Sequence, residues 1–164
     1  MDRLWSPWRL QYVISTDEAH ACVFCEAQSS PGAGSLVLFR ARHCYVILNL
    51  YPYNNGHLLV VPFRHVPSMA ALTTEELHEM ADLMQLCERA LHEAYQPHGV
   101  NVGVNLGKAA GAGVLDHVHM HVLPRWNGDT NFMTAVGETR VLPEDFGQSA
   151  ARLRPIFDRL DQPR

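Results

Sequence analysis

Lysine is almost missing from this chain: Lys108 stands alone among 164 residues, and the formal net charge is −4. A protein of that balance lacks the basic surface with which non-specific nucleic-acid binders displace counterions, so nucleic acid is set aside as a partner. A small anionic ligand is not set aside, because a local site can be positive on an acidic protein. Long apolar runs are also missing. The stretch Leu58-Leu59-Val60-Val61 falls far short of the roughly 20 residues a membrane helix needs. The opening Met1-Asp2-Arg3-Leu4-Trp5-Ser6-Pro7-Trp8 is charged, aromatic and broken by proline, unlike the apolar core of a secretory signal. A soluble, cytoplasmic protein without a membrane partner is expected. Internal repeats and low-complexity tracts are absent. The 4 cysteines are not a disulfide framework, which belongs to small secreted domains, so metal binding or plain burial are the better readings.

Hydrophobic types make up 47% of the chain, enough for one ordinary core, so a single domain over residues 1–164 is expected. Its amino-terminal 35 residues read as irregular, and residues 143–164 as a carboxy-terminal extension. Residues 36–40 and 43–50 are rich in valine, leucine, tyrosine and isoleucine and read as strands. The turn signal Tyr51-Pro52-Tyr53-Asn54-Asn55-Gly56 leads into a third strand over 57–63, which makes a hairpin. A capping-box pattern opens at Thr73, and Leu77, Met80, Ala81, Met84 and Leu91 recur at helical spacing until Pro97 stops the one long helix. Strands are expected again over 100–106 and 117–124, separated by Gly107-Lys108-Ala109-Ala110-Gly111-Ala112-Gly113, which is too glycine-rich to be regular. A terminal helix over 146–160 is interrupted by Pro155. This order suits an α+β fold: an antiparallel sheet of about five strands, with one long helix on a face and a carboxy-terminal helical segment.

The sharpest feature is His117-Val118-His119-Met120-His121-Val122-Leu123-Pro124. Alternation by two sets three imidazoles on one sheet face, about 6.5–7 Å apart along the strand, and sets Val118, Met120 and Val122 on the other. One histidine in a strand is usually a satisfied structural residue. Three in strict alternation each need a partner, and one ligand or metal can serve them all. Two chemistries compete: a three-histidine metal site and nucleophilic attack by imidazole on phosphorus. A neutral imidazole needs no base when its second nitrogen donates to a fixed acceptor, whereas alternating ligands reach one metal only if the strand bends. The nucleophile is therefore favoured. Cys22-Val23-Phe24-Cys25 has the spacing of half a zinc knuckle, with two packed thiols or a redox pair as the competing readings. Cys44 and Cys87 read as core residues.

The histidine pattern resembles the signature of the histidine triad family of nucleotide hydrolases and transferases, and the likeness runs from about Cys22 to Asn131. The resemblance implies that His119 is the nucleophile and forms a nucleotidyl-imidazole intermediate. It implies that His121 contacts the leaving oxygen. His57, in Gly56-His57-Leu58-Leu59-Val60-Val61-Pro62, matches a fourth characteristic histidine that orients the nucleophile's surroundings. Asn49, eight residues earlier, matches a ribose-binding position, and Asn105 a residue that touches phosphates. The family's usual Gly-Gln-Ser or Gly-Gln-Thr before the triad is replaced by Gly111-Ala112-Gly113-Val114-Leu115-Asp116. Backbone N–H groups of Gly111 to Gly113 would then hold the α-phosphate, with Lys108 reaching distal phosphates. Members carrying the cysteine pair, and the related galactose-1-phosphate uridylyltransferases, complete a zinc site with residues that correspond to His65 and His117. That would pin the amino-terminal segment to the catalytic strand.

The Trp5-Ser6-Pro7-Trp8-Arg9 opening and the run Pro124-Arg125-Trp126-Asn127-Gly128-Asp129-Thr130-Asn131-Phe132 are similar to the bacterial branch that includes diadenosine tetraphosphate phosphorylases. The resemblance implies a dinucleoside polyphosphate substrate, phosphate or water as acceptor, a homodimer, structural zinc and no organic cofactor. Phosphoramidate or acyl-adenylate hydrolysis is a variant of the same chemistry, and a zinc-stabilised nucleotide-binding module without turnover is the alternative of another class. Hexose-1-phosphate uridylyl transfer fits poorly, because that motif has proline between its last two histidines.

Overall fold

The computed structural model describes residues 22–29, 35–130 and 144–160. The tryptophan-rich opening, most of the 29–35 loop and Asn131-Phe132 lie outside these. A short helix, α1 (Val23–Ser29), precedes strands β1 (Val37–Arg40), β2 (Cys44–Leu48) and β3 (Leu58–Pro62). The long helix α2 (Thr74–Tyr95), strands β4 (Gly99–Val104) and β5 (Met120–Arg125), and helix α3 (Phe146–Leu160) follow. The strands form one antiparallel sheet in the order β1-β2-β3-β5-β4. This is the α+β arrangement the sequence predicts.

The sheet separates two apolar clusters by strict alternation. Cys44, Val46, Leu48, Leu58, Val60 and Val122 point to one side, where Met80, Leu83, Cys87 and Leu91 of α2 and Leu153 and Phe157 of α3 cover them. Tyr45, Ile47, Leu59 and Val61 point to the other, where Phe24 of α1 joins them. The terminal helix thus shares the main core. Its apolar stripe, with Leu153 and Phe157 wholly buried, holds the helix through Pro155, which breaks a helical hydrogen bond but leaves the packing face intact.

Helix α2 opens on the expected capping box: Thr73 accepts from the Glu76 N–H, and the Glu76 carboxylate accepts from the Thr73 N–H. Its buried stripe differs from the expected one. Glu76, Met80, Leu83, Cys87, Ala90 and Leu91 face inward, whereas Leu77 is 44% exposed and Ala81 is exposed. Each lies one residue past a buried position, which turns it about 100° off the stripe. The helix ends where Gln96 adopts a left-handed conformation with φ 47° ahead of Pro97.

Two further corrections concern the site. Cys25 lies in helical backbone, not in the irregular segment expected over residues 1–35. Strand β5 begins at Met120, not at 117: β4 ends at Val104, which pairs with Met120, and β3, although it runs on to Pro62, pairs with β5 only as far as Val60. Beyond that point β4 departs into the glycine-rich loop, and Pro62 has no N–H to offer. His117 and His119 therefore precede the ladder, and between them the Val118 N–H donates to the Val66 carbonyl at 2.7 Å, outside the sheet.

Candidate active site and metal corner

This departure from the ladder lets the three triad histidines serve two different clusters. His117 is fully buried and turns toward the amino-terminal segment. Its Nε2–H donates to the Pro62 carbonyl at 2.8 Å, which leaves Nδ1 bare. That Nδ1 lies 3.3 Å from Cys22 Sγ and 3.6 Å from Cys25 Sγ, and Cys25 Sγ lies 3.4 Å from His65 Nδ1. The donor atoms of Cys22, Cys25, His65 and His117 all fall within 4.8 Å of one another. A tetrahedral ion with the usual zinc–sulfur and zinc–nitrogen bond lengths has sulfur–nitrogen edges of about 3.5 Å, so this group can hold a metal ion of that size. The Pro62 carbonyl orients one ligand ring from behind, as such sites commonly require.

His119 is 6% exposed and packs against Phe24, with ring centroids 4.9 Å apart. Its Nδ1–H donates to the His117 carbonyl at 3.0 Å, so the proton of the neutral ring sits on Nδ1 and Nε2 carries the lone pair. Burial pushes its pKa below the ordinary histidine value, against a smaller opposing pull from that carbonyl. The residue that anchors the metal corner thus also supplies, through its backbone, the acceptor that sets the tautomer of His119.

His121 is the one triad member within the ladder, opposite Leu59 on β3 and Gly103 on β4. Its Nδ1 lies 3.0 Å from His57 Nε2. The direction of that bond follows from the far side of His57. The Tyr53 backbone N–H donates to His57 Nδ1 at 3.1 Å, and a backbone N–H is always a donor. Asn49 Nδ2 lies 3.2 Å from the same nitrogen, and its amide is oriented because Oδ1 accepts from the Tyr51 N–H at 3.0 Å. His57 Nδ1 is therefore an acceptor, its proton is on Nε2, and it donates to His121 Nδ1. Neutral His121 then carries its own proton on Nε2. Two neighbouring imidazoles, with ring centroids 5.0 Å apart, end up in opposite tautomers: His119 presents a lone pair and His121 an N–H.

The remaining predicted residues lie on the connection from β4 to β5. Val104 pairs with Met120, so Asn105 leaves the sheet beside the start of β5. Lys108 is exposed and begins a single 3-10 turn, Lys108–Ala110. The Gly111 N–H donates to the Lys108 carbonyl and the Ala112 N–H to that of Gly107. Two of the three amides expected for the α-phosphate are thus committed within the turn, and the expectation narrows to Gly113. Sequence reasoning gave no role to Phe24, Pro62, Asn54 or Asp129. Only contacts across 50 or more positions, such as that between His117 and Pro62, reveal them.

A buried imidazole that presents a lone pair beside one that presents an N–H, on a sheet of this order with four Cys and His ligands that could hold a metal behind it, is the arrangement of a histidine triad protein. The chain belongs to the HIT domain family, whose sequence pattern matches residues 31–128. It is 40% identical over 152 residues to the AP-4-A phosphorylase of Mycobacterium tuberculosis, spanning 88% of this chain and 78% of that protein. It is 33% identical over 96 residues to the asymmetrical bis(5'-nucleosyl)-tetraphosphatase of Schizosaccharomyces pombe, spanning 58% and 52%. A Zn-bound histidine triad family protein from Mycobacterium smegmatis superposes with a TM-score of 0.68 at 30% identity, covering 86% of this chain and 96% of that one. Among the described residues no helix is long and apolar enough to cross a membrane.

Proposed function

We propose that this protein is an enzyme that cleaves dinucleoside polyphosphates of the diadenosine tetraphosphate kind at an α-phosphate, through a covalent nucleotide on His119. The observation that carries the reading is the opposed tautomer pair. His119 Nε2 attacks phosphorus while its Nδ1–H stays on the His117 carbonyl, and the P–O bond to the remaining polyphosphate breaks. His121 Nε2–H donates a hydrogen bond to the departing oxygen. That oxygen belongs to a phosphate group stable as an anion near neutral pH, so full protonation is unnecessary. An oxygen of phosphate or of water then attacks the same phosphorus and the P–N bond breaks, which restores the imidazole.

Asn49 retains a second N–H and a second lone pair for the ribose hydroxyls after serving His57 and Tyr51. Asn105, Lys108 and the Gly113 amide are the groups we assign to the phosphates. Gly111 does not share that role, since its N–H is spent. Zinc is the metal we assign to Cys22, Cys25, His65 and His117, with a structural part: it ties α1 to the residue whose carbonyl orients His119. The relatives' names support the same reading. A homodimer is part of it. Strand β4 is an unpaired sheet edge among the described residues, with Val102 47% exposed, and a second copy would cover it. The cytoplasm, where such nucleotides arise, is the compartment it implies.

Incubation with diadenosine tetraphosphate, with and without phosphate, tests the reading. ADP plus ATP formed only with phosphate identifies a phosphorylase, and AMP plus ATP a hydrolase. Absence of an acid-labile nucleotide on His119 in a denaturing quench during turnover would overturn the covalent route.

A further inference from the structure

The bond between His57 and His121 joins two parts of the chain that are 64 positions apart. His57 follows the turn formed by residues 51–56, and His121 lies in β5. Something must hold the turn over the strand at the right height, because a displacement of one ångström would open a 3.0 Å hydrogen bond.

The structure contains a clamp at that place. Arg125 ends β5, four residues beyond His121. Its Nε donates to Asp129 Oδ2 at 2.6 Å and a terminal nitrogen to Asp129 Oδ1 at 2.8 Å, the bidentate geometry that fixes a carboxylate in direction as well as distance. The other terminal nitrogen donates to Asn101 Oδ1 on β4 at 2.8 Å. The Trp126 N–H donates to Asp129 as well. The carboxylate is only 11% exposed, and the Arg125 guanidinium holds its pKa far below the usual range. It thus remains an acceptor at every physiological pH. What it accepts is Asn54: Nδ2–H donates to Asp129 Oδ2 at 2.9 Å and to the Pro124 carbonyl at 3.2 Å. Asn54 is bound in turn to His57, whose N–H donates to the Asn54 carbonyl at 3.2 Å. Its chain neighbour Tyr53 supplies the N–H that reaches His57 Nδ1.

The other side of the turn is seated on α2. Gly56 has φ 72°, and a Cβ there would come within 2.7 Å of Tyr95. The turn is therefore gripped from β5 through Asn54 and from α2 through Gly56.

We infer that Asp129 and Asn54 are positioning residues for the reaction: by clamping the 51–56 turn to the strand of His121, they keep the Tyr53 N–H on His57 Nδ1 and so set the tautomers of both His57 and His121. Neither residue touches the reacting atoms. They act through a backbone donor that carries no chemistry of its own. The inference rests on the functional reading above for its consequence in turnover, but the tautomers are observable without it.

The experiment is long-range nitrogen–proton NMR of histidine side chains in the full chain, labelled with nitrogen-15, for the wild type, Asn54→Ala and Asp129→Asn, with Glu88→Ala on the exposed face of α2 as control. In the wild type His57 and His121 should both show the Nε2–H pattern and His119 the Nδ1–H pattern. In Asn54→Ala and Asp129→Asn, His57 should move to a mixture with Nδ1–H while His119 keeps its pattern, since its acceptor is elsewhere. Turnover of diadenosine tetraphosphate should fall roughly tenfold in kcat, with KM little changed. Glu88→Ala should alter neither. Unchanged His57 and His121 patterns in the two folded variants overturn the inference. So does loss of all three patterns together, which would make the residues general supports of the fold. A wild type with the expected tautomers but no turnover would leave the clamp standing and remove the proposed activity instead.

Discussion

On the helix-covered side of the sheet, Val46, Leu58, Val60 and Val122 meet α2 and α3 in a cluster without an imidazole. On the opposite side, beside Leu59 and Val61, His57, His119 and His121 are buried or nearly so. Burying three imidazoles costs solvation unless each ring finds partners. Two backbone groups anchor them, the His117 carbonyl for His119 and the Tyr53 N–H for His57, and His57 in turn serves His121. The two sides therefore depend on different physics. The apolar side is held by area and shape, which tolerate a similar replacement. The histidine side is held by direction, and each ring keeps its proton on a given nitrogen only while a particular backbone group stays in place.

Four substitutions probe this difference, from the largest expected effect to the smallest. His119→Ala should reduce turnover of diadenosine tetraphosphate by roughly three orders of magnitude, while the melting temperature falls by only a few degrees. A large loss of stability would show that this ring is also part of the core. Leu91→Ala, on the apolar side, should do the reverse. The residue is fully buried, so about 3 kcal/mol of stability is expected to be lost in denaturant titration, with turnover per folded molecule kept within about a factor of two. Lower turnover there would mean that packing on one side sets geometry on the other.

Cys25→Ser, or a strong chelator on the wild type, should release the zinc assigned to this corner, as measured by elemental analysis. Activity should drop roughly tenfold, because His117 loses its anchor and the acceptor of His119 drifts. Full activity of the metal-free protein would separate the two clusters that His117 joins. The smallest effect concerns Glu76, whose carboxyl is held down to about 2, chiefly by the Arg64 guanidinium. Since its folded value lies below the ordinary 4.5, the stability it contributes is present above about pH 4.5 and is lost as pH falls through 2. Glu76→Gln should thus melt lower than the wild type at pH 7, by about 1.5 kcal/mol, and the two curves should converge in acid. A constant gap at all pH values would assign the effect to the capping geometry instead of the charge.

Much of the fold can be read from residue pattern alone. The strand-forming composition of β1 and β2, the Thr73 to Glu76 box and the turn before His57 each express a local rule, and the structure carries all three. Two misreadings share one cause. Periodicity places Leu77 and Ala81 on the stripe of α2 and starts β5 at 117, because it leaves open which phase the neighbouring elements select. In α2 the sheet sets the phase, and β5 begins where β4 ends, at the pair of Val104 and Met120. The cysteine pair with His65 and His117 was found by resemblance. Its closeness in space depends on α1 lying against the far end of β3.

Residue types and spacing by themselves set three histidines in alternation with apolar residues, and they carry the pattern by which this chain resembles the histidine triad proteins. Those are properties of side-chain identity and of the two-residue repeat of a strand. Tertiary structure alone decided which nitrogen of each ring bears the proton, that His117 turns to the cysteines while His119 and His121 do not, and that Asp129 and Asn54 stand behind His57. A tautomer is set by the partner of the other nitrogen, and here those partners are mostly backbone groups, whose chemistry is the same at every residue and whose position no sequence pattern records.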